Sequence, residues 1–239
     1  MTVMGDNQGT AVSQAELLAL AVHEFRTPVT VVAGYLRMLA REQVGPLSER
    51  QLKLVQEAER SCARLSALVS EMGDVANLDG GSTVLPREEV AFDDIVDEVA
   101  AAAEEGRDRG VTVTRQRATE GLTVAGDRRR VRDVVSHLLT AVLREQGEPG
   151  PVVVATERLR LDGGRPMAAL TIGRADAAAD VLKESGPEAR LNEFRGGLGL
   201  ALPIARRVIE HLGGQVWSSG TGRVLGAVAV LLPIKENPA

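Results

Sequence analysis

Aromatic residues, cysteine and long apolar runs are what this 239-residue sequence has least of. Aromatic side chains make up 2% of the chain, whereas hydrophobic residues as a whole make up 44%, so its cores must be built from aliphatic side chains. The single cysteine, Cys62, excludes an intramolecular disulfide and any multi-cysteine metal site. One unpaired cysteine is typical of a protein from a reducing compartment.

Two further absences limit the location and the partners. No apolar run approaches the roughly 20 residues of a membrane-spanning helix, and residues 1–10 lack the basic start and apolar centre of a signal peptide. The formal net charge of -5 argues against nucleic-acid binding, which needs a basic surface. We therefore expect a soluble, cytoplasmic protein with a disordered tail at residues 1–12, no attached sensor domain, and neither nucleic acid nor membrane as a partner.

Apolar residues recur every three to five positions in two stretches, which together cover residues 13–80. Ser13 and Glu16 have the spacing of a capping box, and Gly45-Pro46 is a turn pair. The pattern predicts a helical hairpin whose wide apolar stripe has no third helix to cover it. The economical way to bury that stripe is a four-helix bundle made by two chains, so we expect a homodimer. Packing of the hairpin on the rest of the chain is the alternative.

Residues 84–239 alternate between helical and strand-like patterns. We predict helices at 92–103, 129–143 and 200–212, and strands at 111–114, 122–125, 152–155, 168–172, 215–218 and 224–232. Asp162, Gly163 and Gly164 form a turn between the third and fourth strands. The interleaving predicts an α/β sandwich with helices on one face of a sheet, and the whole chain is therefore of the α+β class.

The most informative stretch is HEFRTP at residues 23–28, in the first predicted helix. With Phe25 turned towards the bundle, His23 faces solvent, where a neutral imidazole nitrogen is a good nucleophile. Glu24 can orient the ring and accept its proton, and Thr27 lies one turn further along the same face. These positions predict a nucleophilic histidine. The alternative is that His23 is an ordinary residue on a helix surface.

This stretch resembles the phosphoacceptor box of sensor histidine kinases, which usually has leucine where Phe25 stands. The resemblance implies that His23 carries the phosphoryl group and that Glu24 and Thr27 also serve phosphatase chemistry on the partner. It implies response regulator receiver domains as partners, docking on the hairpin beyond His23. The candidate contact residues are Arg26, Tyr35, Arg37 and Met38.

The resemblance extends to an ATPase-type second domain, in which the family holds Mg-ATP with short sequence boxes. The box of the form Asn-Leu-Leu-x-Asn-Ala aligns with residues 137–142. His137 and Ala141 therefore replace the two asparagines. The second asparagine supplies a metal-coordinating oxygen in the family, which the methyl group of Ala141 cannot do.

The box of the form Asp-x-Gly-x-Gly aligns with residues 174–178 and also differs from the family. Arg174 stands where the family has the aspartate that reads adenine. Asp176 or Asp180 is a candidate substitute in a shifted register. Only 21 residues separate Arg174 from Gly196, so the lid over the phosphates is expected to be shortened.

The last glycine box of the family is well kept at residues 196–200. Glycines at a helix start let backbone amides approach phosphate, and the resemblance implies that Gly197 and Gly199 belong to a vestigial phosphate loop. Glycine also permits tight turns, so purely structural retention is the alternative. We expect no metal site in the chain itself.

Three functions remain after these observations. The first is a phosphorelay protein in which His23 exchanges a phosphoryl group with regulator aspartates, using the Mg²⁺ of the regulator and no ATP. The second is a soluble kinase that autophosphorylates His23 from Mg-ATP. The third is a non-catalytic module that sequesters a regulator, against which the intact acceptor box argues. The altered nucleotide boxes place the relay first.

Overall fold

The computed structural model describes residues 13–80, 86–119, 121–160, 164–183, 191, 199–219 and 226–235. The chain divides into two compact units, residues 1–83 and 84–239, which are described separately. The tail expected at residues 1–12 lies outside the described residues.

The first unit is the predicted helical hairpin, formed by α1 (Gln14–Ala40) and α2 (Glu49–Asp79). The capping box at the start of α1 is present: the Glu16 amide donates to Ser13 Oγ and the Ser13 amide donates to Glu16 Oε2. Hydrogen bonds to the Glu16 carboxyl group, first from the Ser13 backbone amide and then from the Ser13 side chain, lower its pKa. Ser48 and Gln51 form the same box at the start of α2, so both helices begin where their side chains satisfy free backbone amides.

The two helices meet along a narrow row of small buried side chains. Val22 and Val29 of α1 face Cys62 and Val69 of α2, and all four are less than a tenth exposed. Cys62 is buried between the helices, and its thiol donates to the Val29 carbonyl oxygen at 3.6 Å. The seven-residue spacing within each helix keeps the row on one side of each.

Many large apolar side chains of the hairpin are left exposed in the single chain. Phe25, which we expected to turn into the bundle, is 54% exposed, because only the row around Val29 faces α2. The other exposed apolar side chains in the two helices are Leu17, Leu20, Val31, Val32, Tyr35, Met38, Leu54, Leu65 and Leu68. So large an exposed apolar surface marks an interaction site, which another molecule covers.

Helix α1 also meets, by length and composition, the criterion for a membrane span. The expectation from the sequence that no segment approaches that criterion is therefore wrong for this helix. The helix is apolar because two of its faces are: the row against α2 and the exposed stripe. Helices with one wide apolar stripe are also usual in bundles.

The second unit contains a five-stranded mixed sheet. Its strands are β2 (Val111–Arg117), β4 (Gly150–Arg160), β5 (Pro166–Gly173), β6 (Gln215–Ser219) and β7 (Ala227–Pro233). They lie in the order β2-β4-β5-β7-β6, in which β2 and β4 are parallel and the other neighbours are antiparallel. Within the expected turn, only Gly164 is among the described residues.

A separate two-stranded sheet pairs β1 (Glu88–Ala91) with β3 (Thr123–Gly126). We predicted β3 but not β1, because four residues with one buried side chain give no periodic signal.

Helices α3 (Phe92–Ala102), α4 (Arg128–Glu145) and α6 (Ala201–His211) cover one face of the five-stranded sheet. Leu170, Val230 and Leu232 point from the sheet to this face, where Val134 of α4 and Ile209 of α6 pack around them. We call it the inner face. The three predicted helices and the sheet that they cover are thus confirmed.

The opposite, outer face is also covered, contrary to the prediction of helices on one face only. A short helix, α5 (Ala175–Asp180), follows β5 directly and lies there with Val181, which is completely buried. The Trp217 indole N–H donates to the Val181 carbonyl oxygen at 2.7 Å. Small side chains in the neighbouring strands, among them Ala169 and Ala229, leave room for this packing.

A buried aspartate joins α3 to the strands. Asp93 is 4% exposed, and its Oδ1 accepts from Thr156 Oγ1 at 2.7 Å and from Arg115 Nη2 at 3.0 Å. Its Oδ2 accepts from the Leu122 amide at 3.0 Å. Burial lowers the pKa of Arg115, and the charge of Asp93 opposes that shift. The carboxylate therefore holds α3, β2 and β4 together with the start of β3.

Candidate functional site

His23 lies in the interior of α1, on a part of the helix surface that is open to solvent. Glu24 and Thr27 are also exposed, so the three residues predicted to act together are all accessible from outside the hairpin. The helix continues through Pro28, which has no amide hydrogen for the Glu24 carbonyl. The Thr30 hydroxyl donates to the Arg26 carbonyl oxygen at 2.7 Å, a second local change in the hydrogen bonding of this turn.

Directly behind His23, α1 and α2 approach each other over a glycine. A β-carbon at Gly73 of α2 would lie 3.3 Å from Val22 Cγ1 and 3.9 Å from Arg26 Nη2. Val22 and Arg26 are one turn apart and flank His23 in the sequence. Gly73 was not among the residues predicted from the sequence, although a glycine within a long helical pattern is itself a signal of close packing.

The surface beyond His23 carries apolar side chains that a partner can cover. Val31, Tyr35 and Met38 are 47%, 64% and 41% exposed, about two to four turns after His23. Arg26 and Arg37, the other suggested contacts, are exposed as well. The hairpin therefore presents the histidine next to a mixed apolar and basic surface.

In the second unit, the position that resembles the metal-binding asparagine is closed. Ala141 lies on α4 and is completely buried, so the described structure offers neither an oxygen ligand nor space for one at this point. His137, at the position of the first asparagine, is half-buried on the same helix.

Arg174 precedes α5, with its guanidinium over the start of β4. Its Nη1 and Nη2 lie 3.5 Å from the carbonyl oxygens of Glu148 and Pro149. Asp176 and Asp180, the suggested substitutes for the adenine-reading aspartate, are exposed on α5 on the outer face. The sheet therefore separates them from α4 and α6, and the described structure does not bring them together with Ala141.

Only part of the glycine box is within the described residues, since Gly196 and Gly197 lie outside them. Gly199 has a positive φ of 60° immediately before α6. That conformation favours glycine, so a turn requirement is sufficient to explain this residue.

The third histidine and two arginines of α4 have local structural roles. His211 is the last residue of α6, and its Nδ1 lies 3.1 Å from the Arg207 carbonyl oxygen. Arg128 and Arg132, near the start of α4, both bind Glu98 and so join α4 to α3.

Residues 13–81 match the His Kinase A (phospho-acceptor) domain family, which places the hairpin and its His23 box in that domain. Residues 13–81 thus belong to the His Kinase A (phospho-acceptor) domain family, and most of the chain is similar to histidine kinases. The cell-division control histidine kinase PdhS of Brucella suis is 25% identical over 211 residues, which is 82% of this chain but 20% of the relative. PdhS of Brucella abortus matches to the same extent. The chain thus spans about a fifth of the length of these curated relatives.

Two solved histidine kinases have the same fold. Full-length ShkA, crystallised with AMPPNP, superposes with a TM-score of 0.71 at 24% identity, over 95% of this chain and 47% of ShkA. The histidine kinase AdeS of Acinetobacter baumannii gives a TM-score of 0.53 at 20% identity, over 90% of this chain and 98% of AdeS. The predicted fold class, a helical hairpin followed by an ATPase-type α/β domain, is confirmed.

These relatives bear on the order of the predicted functions. Their similarity to this chain favours the kinase alternative over the pure phosphorelay that the altered nucleotide boxes placed first.

Proposed function

We propose that this chain is a two-component signalling protein whose His23 accepts a phosphoryl group, and that it acts as a histidine kinase on that residue. The observation that carries the proposal is the acceptor box, exposed on α1 of a His Kinase A domain and followed by an ATPase-type fold. The described residues at the nucleotide positions, Ala141 and Arg174, do not fit Mg-ATP as the family holds it. The chemistry assigned to this chain is therefore that of the hairpin.

The chemistry at His23 needs only groups that the hairpin exposes. The lone pair of a ring nitrogen attacks phosphorus, the bond from phosphorus to the leaving oxygen breaks, and a nitrogen–phosphorus bond forms. Glu24, the next residue, orients the imidazole and takes the proton from its other nitrogen. Thr27, one turn away, contributes its hydroxyl to the phosphatase reaction, in which water hydrolyses the phosphoaspartate of the regulator.

The second candidate is the phosphorelay, and a specific arrangement favours it. Ala141 is buried, Arg174 has replaced the aspartate, and Asp176 lies on the outer face of the sheet. A relay needs none of these groups, because a receiver domain supplies both the phosphoryl group and Mg²⁺. In this function His23 passes phosphoryl groups between regulators and the second unit does not bind nucleotide.

Both functions share the same partners. Receiver domains of response regulators dock over Val31, Tyr35 and Met38, where exposed apolar area adjoins the acceptor. A second copy of the chain covers the remaining apolar stripe of the hairpin to complete a four-helix bundle. We place the protein in the cytoplasm, where receiver domains occur.

Labelling of His23 decides between the donors. The chain is incubated with radiolabelled Mg-ATP, and separately with a radiolabelled phosphorylated receiver domain. His23→Ala abolishes every label, while His211→Ala, at the end of α6, keeps it. Label from ATP establishes the kinase, and label from the receiver domain alone establishes the relay. A folded wild-type chain that takes no label from either donor contradicts both and leaves regulator sequestration.

A further inference from the structure

The glycine at position 73 lies in the interior of α2, where it disfavours the helix. Glycine is among the poorest helix formers because it loses the most backbone freedom on folding, and alanine is the best. Helix α2 runs unbroken from Glu49 to Asp79, so Gly73 marks neither a turn nor an end. A helix-interior glycine of this kind has to be explained by what packs against it.

Two side chains of α1 lie over this glycine. The β-carbon that alanine would add lies 3.3 Å from Val22 Cγ1, closer than ordinary carbon–carbon contacts, and 3.9 Å from Arg26 Nη2. The arginine is long and can move aside. The valine cannot, because a β-branched side chain has one strongly preferred rotamer in a helix and Val22 is only 5% exposed.

The contact lies at the level of the phosphoacceptor. Val22 immediately precedes His23, and Arg26 follows it by three residues on the same helix. If alanine replaced glycine at position 73, α1 would have to move away from α2 by a few tenths of an ångström at this level. His23 would move with it relative to the rest of the hairpin.

We propose that Gly73 is a positioning residue for phosphoryl transfer: it sets the spacing of α1 and α2 behind His23. The inference rests on the proposed role of His23 as the acceptor. Transfer requires the attacking nitrogen to be aligned with the donor, and small displacements of a reacting group cost large factors in rate. The glycine thus keeps a spacing that a better helix former would open.

The test uses Gly73→Ala in the full chain, with Gly34→Ala as the matched control. Gly34 is also a helix-interior glycine, but a β-carbon there would meet nothing within 4 Å. We expect Gly73→Ala to lower the maximal rate of His23 labelling about tenfold or more, with the half-saturating donor concentration little changed. Gly34→Ala keeps the wild-type rate. The melting temperature of neither variant falls by more than a few degrees, since both gain helix propensity.

A rescue variant separates spacing from general damage. Val22→Ala combined with Gly73→Ala removes the close contact and should restore labelling to within about threefold of wild type. Wild-type labelling by Gly73→Ala, or a loss that the double variant does not restore, overturns the proposal.

An NMR measurement tests the role of Gly73 in helix spacing even if His23 takes no phosphoryl label. If the wild-type chain takes no label from Mg-ATP or from a phosphorylated receiver domain, the proposed function fails. The ring resonances of His23 in an NMR spectrum then test the spacing. They should shift in Gly73→Ala and return in the double variant, and unshifted resonances in Gly73→Ala overturn the inference.

Discussion

At the scale of single residues, Ala141 and Arg174 are the two side chains of the second unit that oppose nucleotide binding as the family performs it. Asparagine offers a carbonyl oxygen to a hard cation, whereas the methyl group of Ala141 offers nothing and is fully enclosed. The adenine amino group is a donor, and a guanidinium such as that of Arg174 has donors only, so it cannot accept from adenine. Kinase activity therefore requires other groups of this chain to hold the nucleotide.

At the surface of the second unit, the pairing of Glu98 with Arg132 makes the stability of the fold depend on pH. The pKa of Glu98 lies below its usual 4.5, chiefly because the Arg132 side chain donates a hydrogen bond to it. The folded state therefore binds this proton less readily than the unfolded state does. The stabilisation is fully present above pH 4.5 and is lost as the pH falls through the lowered folded-state pKa.

We therefore predict a pH-dependent effect of Arg132→Gln, which removes the main donor. Urea midpoints of this variant and wild type are compared from about pH 7 down to about pH 3. The variant should be slightly less stable at the upper end, and the difference should shrink below pH 4.5 as Glu98 becomes protonated in both proteins. Arg129→Gln, at a side chain that is 90% exposed, serves as the control. A difference that stays constant or grows on acidification contradicts the assignment.

At the scale of elements, long periodic segments were predictable, whereas the short elements β1 and α5 were not. The capping box of Ser13 and the long apolar pattern defined α1, and an apolar run after a turn sequence defined β5, which is almost wholly buried. Helix α5 was missed because six residues rich in alanine and aspartate show no apolar period. Its place on the outer face depends on Trp217, which is distant in sequence.

The residues of the candidate site were likewise predictable only in part. The acceptor box is local in sequence, so His23, Glu24 and Thr27 could be proposed from their spacing and resemblance. Gly73 belongs to the other helix, and its contact with Val22 is visible only in three dimensions. A glycine in a helical pattern indicates close packing, but the sequence does not tell which residue packs against it.

The junction between α3 and the sheet should depend on Asp93 more than on any pair at the surface. Asp93→Ala removes one of the two carboxylates that bind the partly buried Arg115, the other being that of Asp97. It also leaves the Leu122 amide without its acceptor. We expect a loss of roughly 3 kcal/mol in the free energy of unfolding. Asp94→Ala is the control, since Asp94 is exposed in the same first turn of α3 and should cost less than about 1 kcal/mol. Equal losses for the two variants would show that the network is unimportant.

At the scale of the whole molecule, the exposed stripe of the hairpin predicts association of two chains. Val32 on α1 and Leu65 on α2 are each 49% exposed, and both helices carry further apolar side chains in the single chain. A glutamate at either position would be buried without a partner in a four-helix bundle, at a cost of several kcal/mol. Val32→Glu and Leu65→Glu should therefore shift the protein from dimer to monomer in analytical ultracentrifugation. Val44→Glu, on the loop after α1 where the side chain is 61% exposed, should remain dimeric. A wild-type chain that sediments as a monomer at micromolar concentration would mean that the stripe has another partner, because its apolar area would still need cover.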